Sequence, residues 1–193
     1  MNKERLAGED VFSVADFLST NECDEFIHWS ESLGYEPSMV STPDGAKMNL
    51  DWRNNMRVIV DNDTRAEWLW KRAEPFVPDT IADWQPIGLN ERLRFYRYDP
   101  GEQFDWHSDG CFIRDNGDRS FLTFLVYLSE DCTGGETLFS DNRVRPQFGD
   151  FSVAPQTGKA LFFEHTLLHK GERVTTGRKY VLRSDVMYRK RAE

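Results

Sequence analysis

The chain has 193 residues, with 24 basic and 33 acidic side chains and a formal net charge of −9. Hydrophobic residues make up 39% of it, including 14 Phe and 6 Trp, so we expect a single folded domain over residues 1–193 with a sizeable core. The acidic balance argues against nucleic acid as a partner, because proteins that bind it present a basic surface to the phosphate backbone.

Cysteine usage and hydropathy predict a cytoplasmic protein. The three cysteines, Cys23, Cys111 and Cys132, fit neither a disulfide framework nor a paired-cysteine zinc motif. Residues 1–6 are charged and lack the apolar segment of a secretory signal. No run approaches the roughly 20 apolar residues of a membrane span, so we expect no membrane partner. The sequence does not predict an oligomeric state.

Residues 1–90 are predicted to form an N-terminal buttress of helices and short strands. Residues 1–9 are typical of a frayed tail and residues 11–14 of a short strand. Residues 35–56 are polar and predict a long loop, with a lid over a site as one interpretation. Capping-box signatures predict two helices, which start at residues 19–22 and 64–67 and end near Gly34 and Pro75.

Short strands and glycine-bearing turns replace helices from residue 91 onward. This texture predicts a mainly β fold with a helical buttress (α+β), in which a double-stranded β-helix, or jelly roll, occupies residues 91–188. The N-terminal helices are expected to pack on one of its sheets. The eight predicted strands cover residues 92–98, 104–109, 121–128, 136–139, 150–154, 160–164, 167–170 and 179–188.

His107 and Asp109 lie two residues apart in a predicted strand, so their side chains project from one face. An imidazole and a carboxylate at this spacing supply two ligands of a facial triad, which leaves half of an octahedral iron site open. The pair alone is weak evidence, because with four His and 33 acidic residues such a spacing has about an even chance of arising somewhere. A plain surface strand is the alternative.

A third ligand has two candidates, His165 and His169. If this segment were helical, both would face one side and favour a zinc pair, although position 166 is Thr where the His-Glu-x-x-His motif has Glu. The flanking residues favour a strand, which would bring His169 to the site.

The last predicted strand carries two cations, Lys179 and Arg183, on one face. A cation inside a barrel beside a metal is costly unless an anion meets it. A dicarboxylate co-substrate that chelates the metal at one end would supply that anion at the other. For Lys179 the alternative is an ordinary surface lysine at the start of a strand.

Six short motifs follow one another along the predicted core: RYDPG at 97–101, FDWHSD at 104–109, LTFLVYL at 122–128, GGET at 134–137, GKALFF at 158–163, and LH at 168–169 followed by GRKY at 177–180. Their order and spacing resemble the iron(II)- and 2-oxoglutarate-dependent dioxygenases, with the prolyl 4-hydroxylase catalytic domain as the closest branch. The resemblance covers about residues 9–188. It implies hydroxylation of a prolyl residue in a protein or peptide, coupled to decarboxylation of 2-oxoglutarate to succinate and CO2. Fe(II) and O2 are required, with ascorbate as an optional addition.

The resemblance also implies roles for individual residues. Lys179 would bind the far carboxylate of 2-oxoglutarate. Tyr98 and Tyr127 stand where the family places phenols along this co-substrate, with ordinary aromatic packing as the alternative. The motif at 134–137 is interpreted as a structural turn. The implied iron ligands are His107, Asp109 and His169.

Three features depart from the family pattern. Arg183 occupies a position where a smaller residue is usual, and it would share the 2-oxoglutarate carboxylate, contact the prime substrate or pair with an acid. His165 has no counterpart and is interpreted as a strand-end residue. Residues 111–120 would shape the substrate mouth or form a plain hairpin turn.

Two other functions stay open at this point. One is a small-molecule hydroxylase of the same fold, and the other is a non-catalytic, cupin-like metal-binding sensor. The presence of Lys179 together with all three ligands argues against the sensor. The acidic charge argues against a nucleic-acid demethylase.

Overall fold

The computed structural model describes residues 1–42, 45–47, 49 and 51–191, and its architecture is mostly β. Within these residues the chain forms seventeen strands, two α-helices and a 3₁₀ turn at Glu74–Phe76. The helices are α1 (Thr20–Leu33) and α2 (Asp63–Ala73). The strands are β1 (Asn2–Ala7), β2 (Val11–Ala15), β3 (Glu36–Pro37), β4 (Val40–Thr42), β5 (Gly45–Lys47), β6 (Met56–Asp61), β7 (Trp84–Leu89), β8 (Arg92–Tyr98), β9 (Phe104–His107), β10 (Arg119–Tyr127), β11 (Cys132–Gly134), β12 (Thr137–Ser140), β13 (Phe151–Val153), β14 (Ala160–Glu164), β15 (Leu168–Gly171), β16 (Val174–Gly177) and β17 (Lys179–Lys190).

Two sheets carry the fold. The large sheet has nine strands in the order β1-β2-β14-β10-β17-β8-β6-β3, with β7 also paired to β17. The small sheet has the order β13-β12-β15-β9, and the pairs β11–β16 and β4–β5 stand apart. Side chains of both sheets share one buried cluster, in which Phe139 and Val153 of the small sheet join Tyr98 and Val181 of the large one. The inner faces therefore form the double-layered core of a jelly roll.

Both predicted helices form and pack on the large sheet. At the start of α1, the Ser19 hydroxyl accepts a hydrogen bond from the Glu22 N–H (3.3 Å), and the Glu22 carboxylate accepts one from the Ser19 N–H (2.8 Å). This is the predicted capping box. The Phe26 ring lies 6.1 Å from the ring of Phe95 on β8, and Leu69 of α2 is fully buried in the same cluster.

The start of α2 differs from its prediction by two residues. Asn62 caps the helix, because its side-chain oxygen accepts a hydrogen bond from the Arg65 N–H (2.9 Å). The Thr64–Glu67 signature is therefore not the cap, since an asparagine two residues upstream already accepts from a free N–H of the first turn. An ion pair between Arg72 and Glu22 (2.6 Å) ties the two helices together.

The frayed tail predicted for residues 1–9 is wrong. Residues Asn2–Ala7 form β1, which pairs antiparallel with β2 and extends the large sheet. This strand is hard to predict from the sequence because it is polar on both faces. It is held in place by pairing with β2 and by the Lys3 ammonium, which lies 4.0 Å above the Phe12 ring. The N-terminal region is thus part of the sheet as well as a buttress against it.

Strands occupy all eight places predicted between residues 92 and 188, but nine further strands accompany them, so a count of eight is not confirmed. The predicted loop at 35–56 contains the short strands β3, β4 and β5, and parts of it lie outside the described residues. Among the residues described, no helix has both the length and the apolar character needed to cross a membrane.

Candidate active site

Strand pairing in the small sheet brings the three implied metal ligands together. In the antiparallel pair of β15 and β9, His169 lies directly opposite His107. Asp109 follows β9 by two residues, and its N–H donates to the His165 carbonyl (2.8 Å). The ligating atoms of His107, Asp109 and His169 all lie within 4.8 Å of one another. The helical zinc pair of His165 and His169 does not form, because residues Leu168–Gly171 are a strand.

Backbone carbonyls orient both imidazoles. Nδ1 of His107 donates to the Asp105 carbonyl (2.7 Å), and Nδ1 of His169 donates to the Leu167 carbonyl (2.9 Å). A carbonyl only accepts, so each ring carries its proton on Nδ1 and leaves Nε2 free to bind a metal. Burial, with the neighbouring His169, lowers the pKa of His107 to about 3, and burial also lowers the pKa of His169. Both rings are therefore neutral, as metal binding requires.

The Asp109 carboxylate is held from two sides. Its Oδ1 lies 3.1 Å from Nη1 of Arg183, and its Oδ2 accepts a hydrogen bond from the Thr123 hydroxyl (2.5 Å). Burial alone would raise the pKa of Asp109, but Arg183, the two histidines and Thr123 outweigh it and lower this pKa well below the usual range. Two neutral imidazoles and one ionised carboxylate on one side of a site are the donor set of non-haem Fe(II) centres, so the residues present fit an iron ion.

A cavity opens beside this cluster, and Lys179 lies in its wall. The Lys179 side chain is 3% exposed, its Nζ donates to the Gly135 carbonyl (2.5 Å), and the Tyr98 ring lies 5.1 Å away. No carboxylate oxygen of the described residues lies within 4.0 Å of this ammonium. Burial lowers the pKa of Lys179 to about 8, which measures the cost of a buried cation without an anionic partner.

Residues 93–184 match the family model described as the 2OG-Fe(II) oxygenase superfamily, and that range contains the whole metal cluster and Lys179. The core of the chain is therefore similar to this superfamily. Prolyl 4-hydroxylase 2 of Arabidopsis thaliana is 25% identical over 175 residues, which cover 79% of this chain and 56% of that protein. The chain spans 52% to 66% of the length of its Arabidopsis relatives.

Solved structures show the same fold. The viral collagen prolyl hydroxylase of Paramecium bursaria Chlorella virus-1, solved with 2OG, aligns with a TM-score of 0.58 at 21% identity over 95% of this chain and 99% of that chain. A prolyl hydroxylase of Trichoplax adhaerens, in complex with a peptide fragment of the hypoxia inducible factor oxygen degradation domain, aligns with a TM-score of 0.67 at 14% identity. That alignment covers 92% and 83% of the two chains.

Arg183 pairs with acids, which is one of the three roles left open for it. Its Nη1 meets Asp109, and its Nη2 lies 3.2 Å from Oδ1 of Asp185. Asp185 is 1% exposed and also meets Arg94 at 3.0 Å. Arg183 lines the cavity as well, on the same face of β17 as Lys179. The strand-face argument therefore placed it correctly. The same two-residue period also puts Asp185 beside it on β17, whereas Asp109 lies on another segment and could not be read from this strand.

His165 is buried and is not part of the metal cluster found among the described residues. Its Nδ1 donates to the Thr123 hydroxyl (2.9 Å), and its Nε2 accepts from the Ser120 hydroxyl (2.7 Å). Because Thr123 in turn donates to Asp109, His165 orients the ligand from behind. The sequence analysis missed Thr123 and Ser120. Both residues bond His165, and the pairing of β10 with β17 shifts register between Ser120 and Leu122, next to these contacts.

Two tyrosines were predicted beside the co-substrate, and the structure separates them. Tyr98 lines the cavity, whereas Tyr127 lies behind Lys179, with its ring 5.5 Å from Nζ. The Tyr127 hydroxyl is 2.6 Å from the Thr137 hydroxyl and 3.3 Å from the Val153 carbonyl. Burial raises the pKa of both phenols, so both stay protonated. Contact of Tyr127 with the co-substrate stays a prediction.

Gly135 is a site residue that the sequence analysis took as purely structural. Its carbonyl is the acceptor for Lys179, and a Cβ at this position would lie 3.1 Å from Cδ of that lysine. Its φ of 75° also favours glycine. The consecutive glycines of the GGET motif were the sequence signal that could have identified this position.

Residues 111–120 close as a turn, in which the Arg114 N–H donates to the Asp118 carbonyl (2.8 Å), consistent with the hairpin interpretation.

Proposed function

We propose that this protein is an Fe(II)- and 2-oxoglutarate-dependent hydroxylase that acts on a prolyl residue of a protein or peptide and releases succinate and CO2. The observation that carries the proposal is one cavity with a His-Asp-His cluster on its wall and the buried cation Lys179 beyond it. The curated relatives named prolyl 4-hydroxylases and the neighbour solved with a peptide support a peptide substrate. An eight-stranded double-stranded β-helix within a single cytoplasmic domain belongs to the same proposal, and an ascorbate requirement stays a prediction.

Each residue has a defined task in this proposal. When bound, iron supplies the oxidising chemistry with O2. His107, Asp109 and His169 hold the metal from one side and leave the other side for co-substrate and oxygen. Lys179 binds the far carboxylate of 2-oxoglutarate through a charge-assisted hydrogen bond. Phe104, whose ring stacks on His107 with centroids 3.5 Å apart, shields that imidazole from water.

Replacement of a metal ligand tests the proposal. His107→Ala should abolish Fe(II)-dependent release of succinate from 2-oxoglutarate, because two ligands do not hold the metal in a facial site. The matched control is His28→Ala, which removes an exposed histidine on α1 and should leave the activity unchanged. Retained activity in a folded His107→Ala protein would contradict the ligand assignment.

Mass spectrometry separates the substrate classes. The purified oxygenase is incubated with a proline-containing peptide library or with a metabolite extract, and gain of one oxygen is scored in each pool. Hydroxylated prolyl residues in the library support the proposal. Oxygen gain confined to the metabolite pool would favour the small-molecule hydroxylase instead.

A further inference from the structure

Arg53 is a buried guanidinium near the metal cluster which, unlike Arg183, has no anionic partner among the described residues. Arg53 is 7% exposed, and no carboxylate oxygen of the described residues lies within 4.0 Å of its nitrogens. Its Nε donates to the Asn55 side-chain oxygen (2.9 Å), while its Nη2 is buried and has no hydrogen-bond partner among the described residues. A buried cation in this state is expensive, so the arrangement favours binding of an anion.

Arg53 packs behind two aromatic residues of the cavity wall, Phe104 and Tyr96. It pairs with Phe104 in an isolated β-bridge at the edge of the small sheet, and its Cζ is 4.1 Å from the Phe104 ring and 4.9 Å from the Tyr96 ring. Both aromatic side chains line the cavity, and Phe104 is stacked on His107. In the β8–β17 register Tyr96 lies opposite Val181, midway between Lys179 and Arg183. The guanidinium is thus displaced from Lys179 toward the iron ligands.

The buried charges around this cavity do not balance without a further anion. Asp109 and Asp185 match the cations Arg183 and Arg94. The far carboxylate of 2-oxoglutarate would neutralise Lys179, and its near carboxylate would face the metal. Neither carboxylate is then available to neutralise Arg53. Tyr96 reports the same excess: burial would raise its pKa, but Arg183, Arg53 and Arg94 together lower it.

We propose that the prime substrate carries a carboxylate next to the hydroxylated residue, and that Arg53 binds this carboxylate with Tyr96 beside it. The inference rests on the proposed function and narrows its substrate. The carboxylate is either that of a peptide, as an acidic side chain or a C-terminus, or that of a free amino acid. Arg53 suits this task, because a planar guanidinium recognises carboxylates with defined geometry.

The first experiment measures binding to the metal-free protein, so that it does not depend on turnover. Trp52 is the reporter, because it neighbours Arg53 and its ring lies 6.0 Å from Phe104. Fluorescence titrations compare blocked peptides with Pro-Glu or Pro-Gln, the Pro-Gln peptide with a free C-terminus, and L-proline with L-prolinamide. We expect at least one carboxylate member to bind at least about tenfold more tightly than its neutral partner. The member that does so identifies the source of the carboxylate.

The second experiment removes the guanidinium. Arg53→Gln should abolish the acid preference and raise the KM for the acidic substrate, while the 2-oxoglutarate half-saturation of uncoupled turnover stays unchanged. Arg65→Gln is the matched control, because Arg65 also stacks on two aromatic rings, Trp29 at 4.2 Å and Phe26 at 5.1 Å, but lies on α2. This control should keep the preference.

The outcomes separate this inference from the proposed function. Absence of uncoupled 2-oxoglutarate turnover in the wild type would contradict the proposed function itself. Uncoupled turnover without an acid preference anywhere in the panel overturns the Arg53 assignment. So does a raised 2-oxoglutarate half-saturation in Arg53→Gln, which would give this arginine to the co-substrate. If Arg53→Gln does not fold, Arg53→Lys and the wild-type peptide pairs decide the question.

Discussion

Two buried cations on β17, Lys179 and Arg183, lie four residues apart and face the same cavity, but only Arg183 has carboxylate partners among the described residues. Arg183 is matched by the carboxylates of Asp109 and Asp185, whereas Lys179 has only the Gly135 carbonyl. A cation already neutralised by the protein holds structure, and a cation left with a neutral acceptor is ready for an anion from outside. The difference supports the proposal that Arg183 acts on Asp109 and that Lys179 binds the co-substrate.

Removal of Arg183 should have the largest effect on stability. Arg183→Met leaves Asp109 and Asp185 buried without the guanidinium they share, so we expect a loss of about 3–5 kcal/mol in the free energy of unfolding. Urea denaturation of the metal-free protein measures it. Arg178→Met removes a half-exposed partner of Asp99 and should cost less than about 1 kcal/mol. Equal losses in the two variants would remove the basis of the comparison.

Removal of Lys179 should instead act on the co-substrate. Lys179→Met leaves the far carboxylate of 2-oxoglutarate buried without a partner, so its half-saturation concentration should rise about a hundredfold. Metal affinity, measured by anaerobic Fe(II) titration, should change far less. An unchanged 2-oxoglutarate requirement would transfer the role of this lysine to Arg183.

The other oxygen of Asp109 offers a smaller test, because a neutral hydroxyl holds it. Thr123→Val keeps the shape of the side chain and removes the donor 2.5 Å from Oδ2, so Fe(II) affinity should fall about 10- to 100-fold. Thr133→Val, at an exposed position, is the control. If metal binding in Thr123→Val equals that of the control, the hydroxyl does not orient the ligand.

The pH dependence sharpens the comparison further. Because burial lowers the pKa of Lys179 to about 8, its ammonium is lost as the pH rises through that value, and 2-oxoglutarate half-saturation should rise about tenfold per pH unit above it. Lys179→Arg should remove this dependence, since a guanidinium stays charged. In the protein without co-substrate, the lowered pKa of Lys179 has the opposite effect on folding: a higher pH favours the folded state. The unfolded chain binds this proton more tightly, so stability should increase from about pH 8 toward 10.5.

Strand alternation made much of this site predictable. The two-residue period placed Lys179 and Arg183 on one face of β17. His107 and Asp109 also line the cavity together, although β9 ends at His107 and the predicted strand at 104–109 is two residues too long. The capping box at Ser19 fixed the start of α1 for a similar reason, since both of its partners lie within four residues. Features that depend on near neighbours in the chain are written in the sequence.

Contacts between distant segments could not be predicted in this way. The donor to Asp109 is Thr123, and its own partner His165 lies 42 residues further along the chain. Arg53 is joined to Phe104 in the cavity wall by a single β-bridge, which no periodicity in the sequence predicts. Sequence patterns give the face of a strand, but which strand lies beside it is decided by the tertiary fold.

The spacing of two side chains along β17 has one more consequence. Four residues of strand fix the backbone positions of Lys179 and Arg183 about 13 Å apart, and β10 and β8 hold that strand from either side. The two ends of the cavity therefore cannot slide relative to each other. A cavity of fixed length selects its ligand by length. If 2-oxoglutarate binds as proposed, a keto diacid with one extra methylene would lose either its chelation of the metal or its contact with the Lys179 ammonium.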